Sequence, residues 1–132
     1  MSCDQDSVVV QSKDKFADLK NLVESSVKSG KIVYVLFFSP ACGHCRVFAP
    51  IFLSYRKSCL EVVKRKGESK AVMIMVNKET APEILNKLGI TGYPYTYVYS
   101  GLADIYRPSR VIEGADEEGL REVMQWSSLS PV

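Results

Sequence analysis

Two cysteines stand two residues apart at Cys42-Gly43-His44-Cys45, with a histidine between them. Thiols at this spacing can close a small disulfide and reopen it. If a helix begins at the first cysteine, its thiol lies where backbone N–H groups and the helix dipole favour an anion. The thiolate is the reactive form of cysteine, so Cys42 is the candidate nucleophile. A protonated His44 would add positive charge beside both sulfurs and stabilise the thiolate further.

Two plainer readings compete. A Cys-x-x-Cys pair is half of a zinc site, which needs four ligands. The chain has four cysteines and one histidine in all, and no second ligand pair follows. The other reading is an inert buried pair, but Gly43 and His44 suit an exposed turn better than a core.

The 132 residues, 46% of them hydrophobic, suit one compact domain. Residues 8–127 are expected to form it, with tails at 1–7 and 128–132. A net charge of +2 is too balanced to argue for nucleic acid. The basic run Lys64-Arg65-Lys66 reads as a solvated helix end. No apolar run approaches the roughly 18 residues of a membrane helix. The N-terminal residues are acidic and polar, without the basic-then-apolar order of a secretory signal, and no retention signal closes the C-terminus. The expectation is a reducing compartment, cytoplasm or virion, and a lumenal site only for an excised domain.

The elements that must hold the motif can be read from periodicity. Val8 to Val10 is a short strand. Ser12 or Asp14 caps a helix carrying Phe16, Leu19, Leu22, Val23 and Val27 at helical spacing, and Gly30 ends it. Ile32 to Phe38 is a continuous apolar run, fit for a strand covered on both faces. Pro40 breaks it just before the cysteines. A long helix follows, bearing Cys45, Phe48, Phe52, Tyr55 and Cys59 on one face and kinked at Pro50. Ala71 to Val76 is a strand. Thr80 is read as the cap of a helix with Pro82 in its first turn, stopped by Gly89. Tyr93 to Tyr99 and Ile105 to Ile112 are strands, and Ala115 to Trp126 a last helix. Cys59, 14 residues past Cys45 on the same helix, lies roughly 21 Å along it and cannot pair with the motif. It reads as a core residue, and Cys3 as a free surface thiol. The alternating order implies an α/β or α+β sandwich with parallel crossovers.

The segment from Val35 to Pro50, with Cys42-Gly43-His44-Cys45 inside it, resembles the active-site segment of thioredoxin-fold proteins, in its protein disulfide isomerase version. Leu88-Gly89-Ile90-Thr91-Gly92-Tyr93-Pro94 resembles the family's approach to its cis-proline. The resemblance implies a mixed sheet of about five strands flanked by four helices, and a thiol–disulfide oxidoreductase. It makes Cys42 the attacking thiolate and Cys45 the resolving thiol. His44 would make the disulfide a better oxidant, near the isomerase poise of about −180 mV against about −270 mV for thioredoxin. Gly43, Ala41, Tyr93, Pro94 and Tyr95 would flank the reacting sulfur and the substrate, with the backbone at Tyr93 pairing with an extended chain. No metal or organic cofactor is implied. The implied partners are cysteine-bearing proteins and a recycling redox protein, met by a monomer, with a dimer as the alternative.

The departures from the family pattern are specific. Ala41 stands where a tryptophan is usual, and Leu36 where a buried acid serves the resolving thiol. Met75 falls about where that acid's lysine partner would be. Losing both is consistent, because a buried lysine without its acid is an unpaired charge. These losses leave room for an alternative: an interaction or structural module, for example one packaged in a virion, with little turnover. Tyr93, Tyr95, Tyr97 and Tyr99 alternate, so they share one strand face; Tyr97 and Tyr99 read as sheet packing, while Tyr93 and Tyr95 lie near enough to the motif for contact. Arg107 and Arg110 are assigned to solvent.

Overall fold

The computed structural model describes residues 9–10, 16–66 and 71–125. Along the chain run β1 (Val9–Val10), α1 (Phe16–Lys28), β2 (Ile32–Phe38), α2 (Gly43–Lys66), β3 (Ala71–Asn77), α3 (Pro82–Leu88), β4 (Tyr95–Tyr99), β5 (Arg110–Glu113) and α4 (Glu117–Gln125). The strands form one sheet in the order β1-β3-β2-β4-β5. β1 and β2 both pair parallel to β3, while β4 pairs antiparallel to β2 and to β5. Central β2 is apolar throughout because both of its faces are covered.

The two-residue period of β2 separates two cores. Val33, Val35 and Phe37 join Val72, Ile74 and Val76 of β3 beneath α1 and α3, through Leu19, Val23, Ile84 and Leu85. Tyr34 and Leu36 face the other way, with Met73 and Met75, against Phe48 and Phe52 of α2 and Leu120 and Met124 of α4. Buried leucine or phenylalanine side chains each contribute roughly 1.5–3 kcal/mol. The sheet is thereby fixed between two helical layers, and α2 is held over the Leu36 face.

Several boundaries differ from the sequence reading. The strand expected over Ile105 to Ile112 begins only at Arg110. Ile105 gives its N–H to Glu24 Oε2 at 3.0 Å, and its carbonyl accepts from the Tyr99 hydroxyl at 2.9 Å. Both backbone groups are thus taken by side chains, and Pro108 has no N–H to give; pairing resumes where Ser109 N–H meets the Val98 carbonyl at 2.8 Å. The strand expected from Tyr93 starts at Tyr95. Thr80 does not cap α3: the N-cap is Ala81, without a side-chain cap bond, and the Thr80 hydroxyl donates to the Asn77 carbonyl at 3.3 Å. Gly89 closes α3 in the left-handed conformation at φ 69°. The caps expected at Ser12 or Asp14, residue Cys3, the Cys59 side chain and Trp126 lie outside the described residues.

Candidate active site

The site forms where β2 ends. Phe38 is its last strand residue, and Ser39 and Pro40 turn the chain. The Cys42 N–H bonds back to the Ser39 carbonyl at 3.0 Å, and the Cys42 carbonyl accepts the first helical bond, from Arg46 N–H, at 3.1 Å. Cys42 is therefore the N-cap of α2, facing the helix's unpaired N–H groups. One turn later Cys45 is buried, 1% exposed, while Cys42 is half-buried. The two thiols are not bonded to one another.

This placement separates their acidities. The backbone N–H of Cys45 and then the Cys45 thiol hold the Cys42 thiol below its ordinary 9.0; burial opposes them, and the His44 N–H and Arg46 charge add to the lowering. Burial pushes the Cys45 thiol up to about 11, eased by the Ser39 N–H, which reaches its sulfur at 3.4 Å. One cysteine is set up to ionise and its neighbour to keep its proton. The His44 imidazole is exposed; its backbone N–H faces the sulfur charge.

The second wall comes from the approach to β4. The Tyr93–Pro94 peptide bond is cis. The Cys42 thiol donates to the Tyr93 carbonyl at 3.7 Å, while the Pro94 carbonyl is taken by Gly114 N–H at 2.8 Å. Pro94 is buried, Tyr93 and Tyr95 are half-buried, and Ala41 and Gly43 are exposed. A Cβ on Gly92 would lie 3.2 Å from the Tyr95 ring, so that ring folds back onto Gly92. Tyr97 packs edge-on against Phe37 at 5.2 Å, and Tyr99 is buried at 1% exposure. Arg107 and Arg110 are exposed, beside Asp104 and Glu122 respectively.

Beneath the sulfurs the surroundings are apolar. Leu36 is fully buried, with Met75 directly opposite it on β3 and Thr96 opposite it on β4. No carboxylate stands there, and the Thr96 hydroxyl is buried without a partner among the described residues. Nor, among those residues, do three His, Cys, Asp or Glu side chains gather as metal ligands.

A family model described as Thioredoxin matches residues 8–125. The chain belongs to the thioredoxin family. Relatives of this thioredoxin-family chain include thioredoxins and protein disulfide isomerases. It is 31% identical over 91 residues to a thioredoxin of Coprinus comatus, covering 69% of this chain and 73% of that one. It is 29% identical over 101 residues to the protein disulfide-isomerase tigA of Aspergillus niger, but those cover 76% of this chain and only 26% of the relative. Against the rice protein disulfide isomerase-like 1-3, at 35% over 80 residues, the share is 61% of this chain and 13% of the relative. The chain thus matches a small part of these isomerases. Among solved structures, the Trichomonas vaginalis thioredoxin superposes with a TM-score of 0.71 at 16% identity, covering 90% of this chain and 95% of that one.

Sequence reasoning missed three contributors. Ser39 gives its N–H to the buried sulfur, and its own hydroxyl accepts from the Ala41 N–H at 3.4 Å. Lys78 gives its N–H to the Phe38 carbonyl at 2.9 Å and holds its ammonium 5.4 Å from the Tyr93 ring centroid. Thr96 is the third. The parity of β4 could have placed Thr96 opposite the tyrosine face; nothing local marks Ser39 or Lys78.

Proposed function

We propose that this chain exchanges thiols and disulfides with cysteines of other proteins through Cys42 and Cys45. The observation that carries this reading is the opposed acidity of the two thiols, one lowered at a helix N-cap and one raised by burial. In the reducing direction the Cys42 thiolate attacks one sulfur of a substrate disulfide. That S–S bond breaks, and the departing substrate thiolate takes a proton from water. Cys45 then loses its proton and attacks the Cys42 sulfur, closing the Cys42–Cys45 disulfide and releasing the second substrate thiol. The substrate gains two electrons and two protons, and a dithiol partner must restore the pair. The same steps in reverse oxidise a dithiol. An extended substrate chain would pair with the backbone at Tyr93 beside Pro94, with Ala41, Gly43 and Tyr95 as neighbours. His44, when protonated, would favour the reduced state, setting an isomerase-like potential; a measured value at or below about −270 mV would remove that assignment.

A second reading is an interaction or structural module with little turnover. Leu36 and Met75 favour it, because the buried layer they join holds no carboxylate among the described residues. Insulin reduction and refolding of scrambled ribonuclease decide between them. The catalytic reading expects activity that vanishes in Cys42→Ser; equal activity in both proteins would overturn it.

A further inference from the structure

The basic run Lys64-Arg65-Lys66 at the end of α2 has no part in the dithiol chemistry. By sequence, α2 holds Arg46, Arg56, Lys57, Lys64, Arg65 and Lys66 against Glu61 alone, six positive charges against one negative. The whole chain is only +2, so every other element together is net acidic. The described ion pairs lie elsewhere, on α1, α3, α4, β5 and the loop at Asp104. Arg46 and Lys57, both exposed, pair with no carboxylate among the described residues.

Beside Arg46, at the start of this helix, lies an apolar hollow. Phe38, Pro40, Ala49, Pro50 and Leu53 wall a groove of about 390 Å³, with Cys45 also bordering it and Arg46 the one charged residue in its lining. Its size falls in the range of ligand-binding clefts. Leu53 is 41% exposed, and positions 46, 50, 53 and 57 recur on one helical face. An isolated exposed leucine means nothing. A concave apolar groove bordered by Arg46 and Lys57, without carboxylate partners among the described residues, is different, since it complements an apolar side chain carried among acidic ones.

We propose that the groove and the flanking cationic face of α2 dock an acidic polypeptide segment, which seats one aromatic or aliphatic side chain between Pro50 and Leu53. The concavity favours a polypeptide over other polyanions: a nucleic acid backbone has no use for an apolar hollow, and a lipid surface calls for protruding apolar side chains. The site adjoins Cys45, so a protein held there has its docked segment next to the dithiol. The contact itself involves no thiol chemistry and stands apart from turnover.

The test uses the reduced protein and cysteine-free fluorescent peptides read by anisotropy. The probe is a glutamate-rich peptide with one central phenylalanine. Expected are saturable binding that weakens with salt, and a loss of about tenfold when the phenylalanine becomes alanine or in Leu53→Asn. Arg46→Glu should weaken binding by a similar factor, while Lys28→Glu, exposed on α1 across the sheet, leaves it unchanged. Melting curves check that each variant remains folded. Four outcomes would overturn the proposal: no saturation; equal binding of the alanine peptide; indifference to Leu53→Asn; or tighter binding of an oligonucleotide or anionic vesicle than of the probe.

Discussion

The steepest consequence of the site lies in its second chemical step. In the mixed disulfide Cys42 is no longer a thiol, so its own influence on Cys45 is gone. Burial, the largest cause of its raised pKa, remains. About 11 in the reduced pair, Cys45 stays above the ordinary 9.0 in the mixed disulfide through burial, so its thiolate fraction near pH 7 stays below about one in a hundred. The more basic thiolate is intrinsically more nucleophilic, which offsets part of that loss and leaves a net penalty. Resolution should therefore accelerate about tenfold per pH unit from about pH 7 to about pH 10. The measurement is a single-turnover stopped-flow release of a chromogenic thiol preloaded on Cys42 as a mixed disulfide. Leu36→Glu sets a carboxylate in the buried layer under α2. It should raise the rate near neutrality by about tenfold and flatten the profile, while Leu36→Gln does neither. A buried carboxyl costs several kcal/mol, so circular dichroism must show both variants folded. A flat profile in the unaltered protein would refute the reasoning, because another group would then be taking the proton. No gain in folded Leu36→Glu would place the proton's exit elsewhere.

Other outcomes follow from single groups. Thr96→Val removes a buried hydroxyl without a partner among the described residues at nearly constant volume, so stability in urea should rise by about 1 kcal/mol. Glu24 is held below its ordinary 4.5, first by the hydrogen bond from the Lys20 ammonium and then by the Ile105 N–H. A lowered carboxyl contributes stability above that value and loses it as pH falls through the folded one. Unfolding measured against pH should therefore show an acid-side decline in the native protein that is absent from Glu24→Gln. In Cys42→Ser burial still raises Cys45, and the sign is opposite: its contribution is whole below 9.0 and fades as pH climbs through the raised value, a loss visible in alkaline melting curves.

Element types were legible wherever apolar spacing was long and regular. The run from Ile32 to Phe38 suited a covered strand, and Gly89 marked the end of its helix, where the structure adds the left-handed turn. The departures at Leu36 and Met75 were legible too, and register adds that the two face each other directly across β2 and β3. Failures came where distant groups decide local structure. Ile105 to Ile112 has strand-like composition, yet Glu24 and Tyr99 take both backbone groups of Ile105 before a ladder can. Thr80 has the chemistry of a cap but turns to Asn77. The opposed acidity of the cysteines depends on burial by the whole α2 layer, and the groove at Pro50 on a shape shared by the β2 turn and that helix.

The contact between the Cys42 thiol and the Tyr93 carbonyl carries one more implication. A thiol can give that carbonyl a hydrogen; a thiolate cannot, and its negative charge faces the carbonyl's own negative end. Ionisation thus strips the acceptor of its internal donor and makes an amide N–H from outside its best available partner. The atom that prepares the sulfur to attack and the atom that would hold an incoming backbone answer to the same proton.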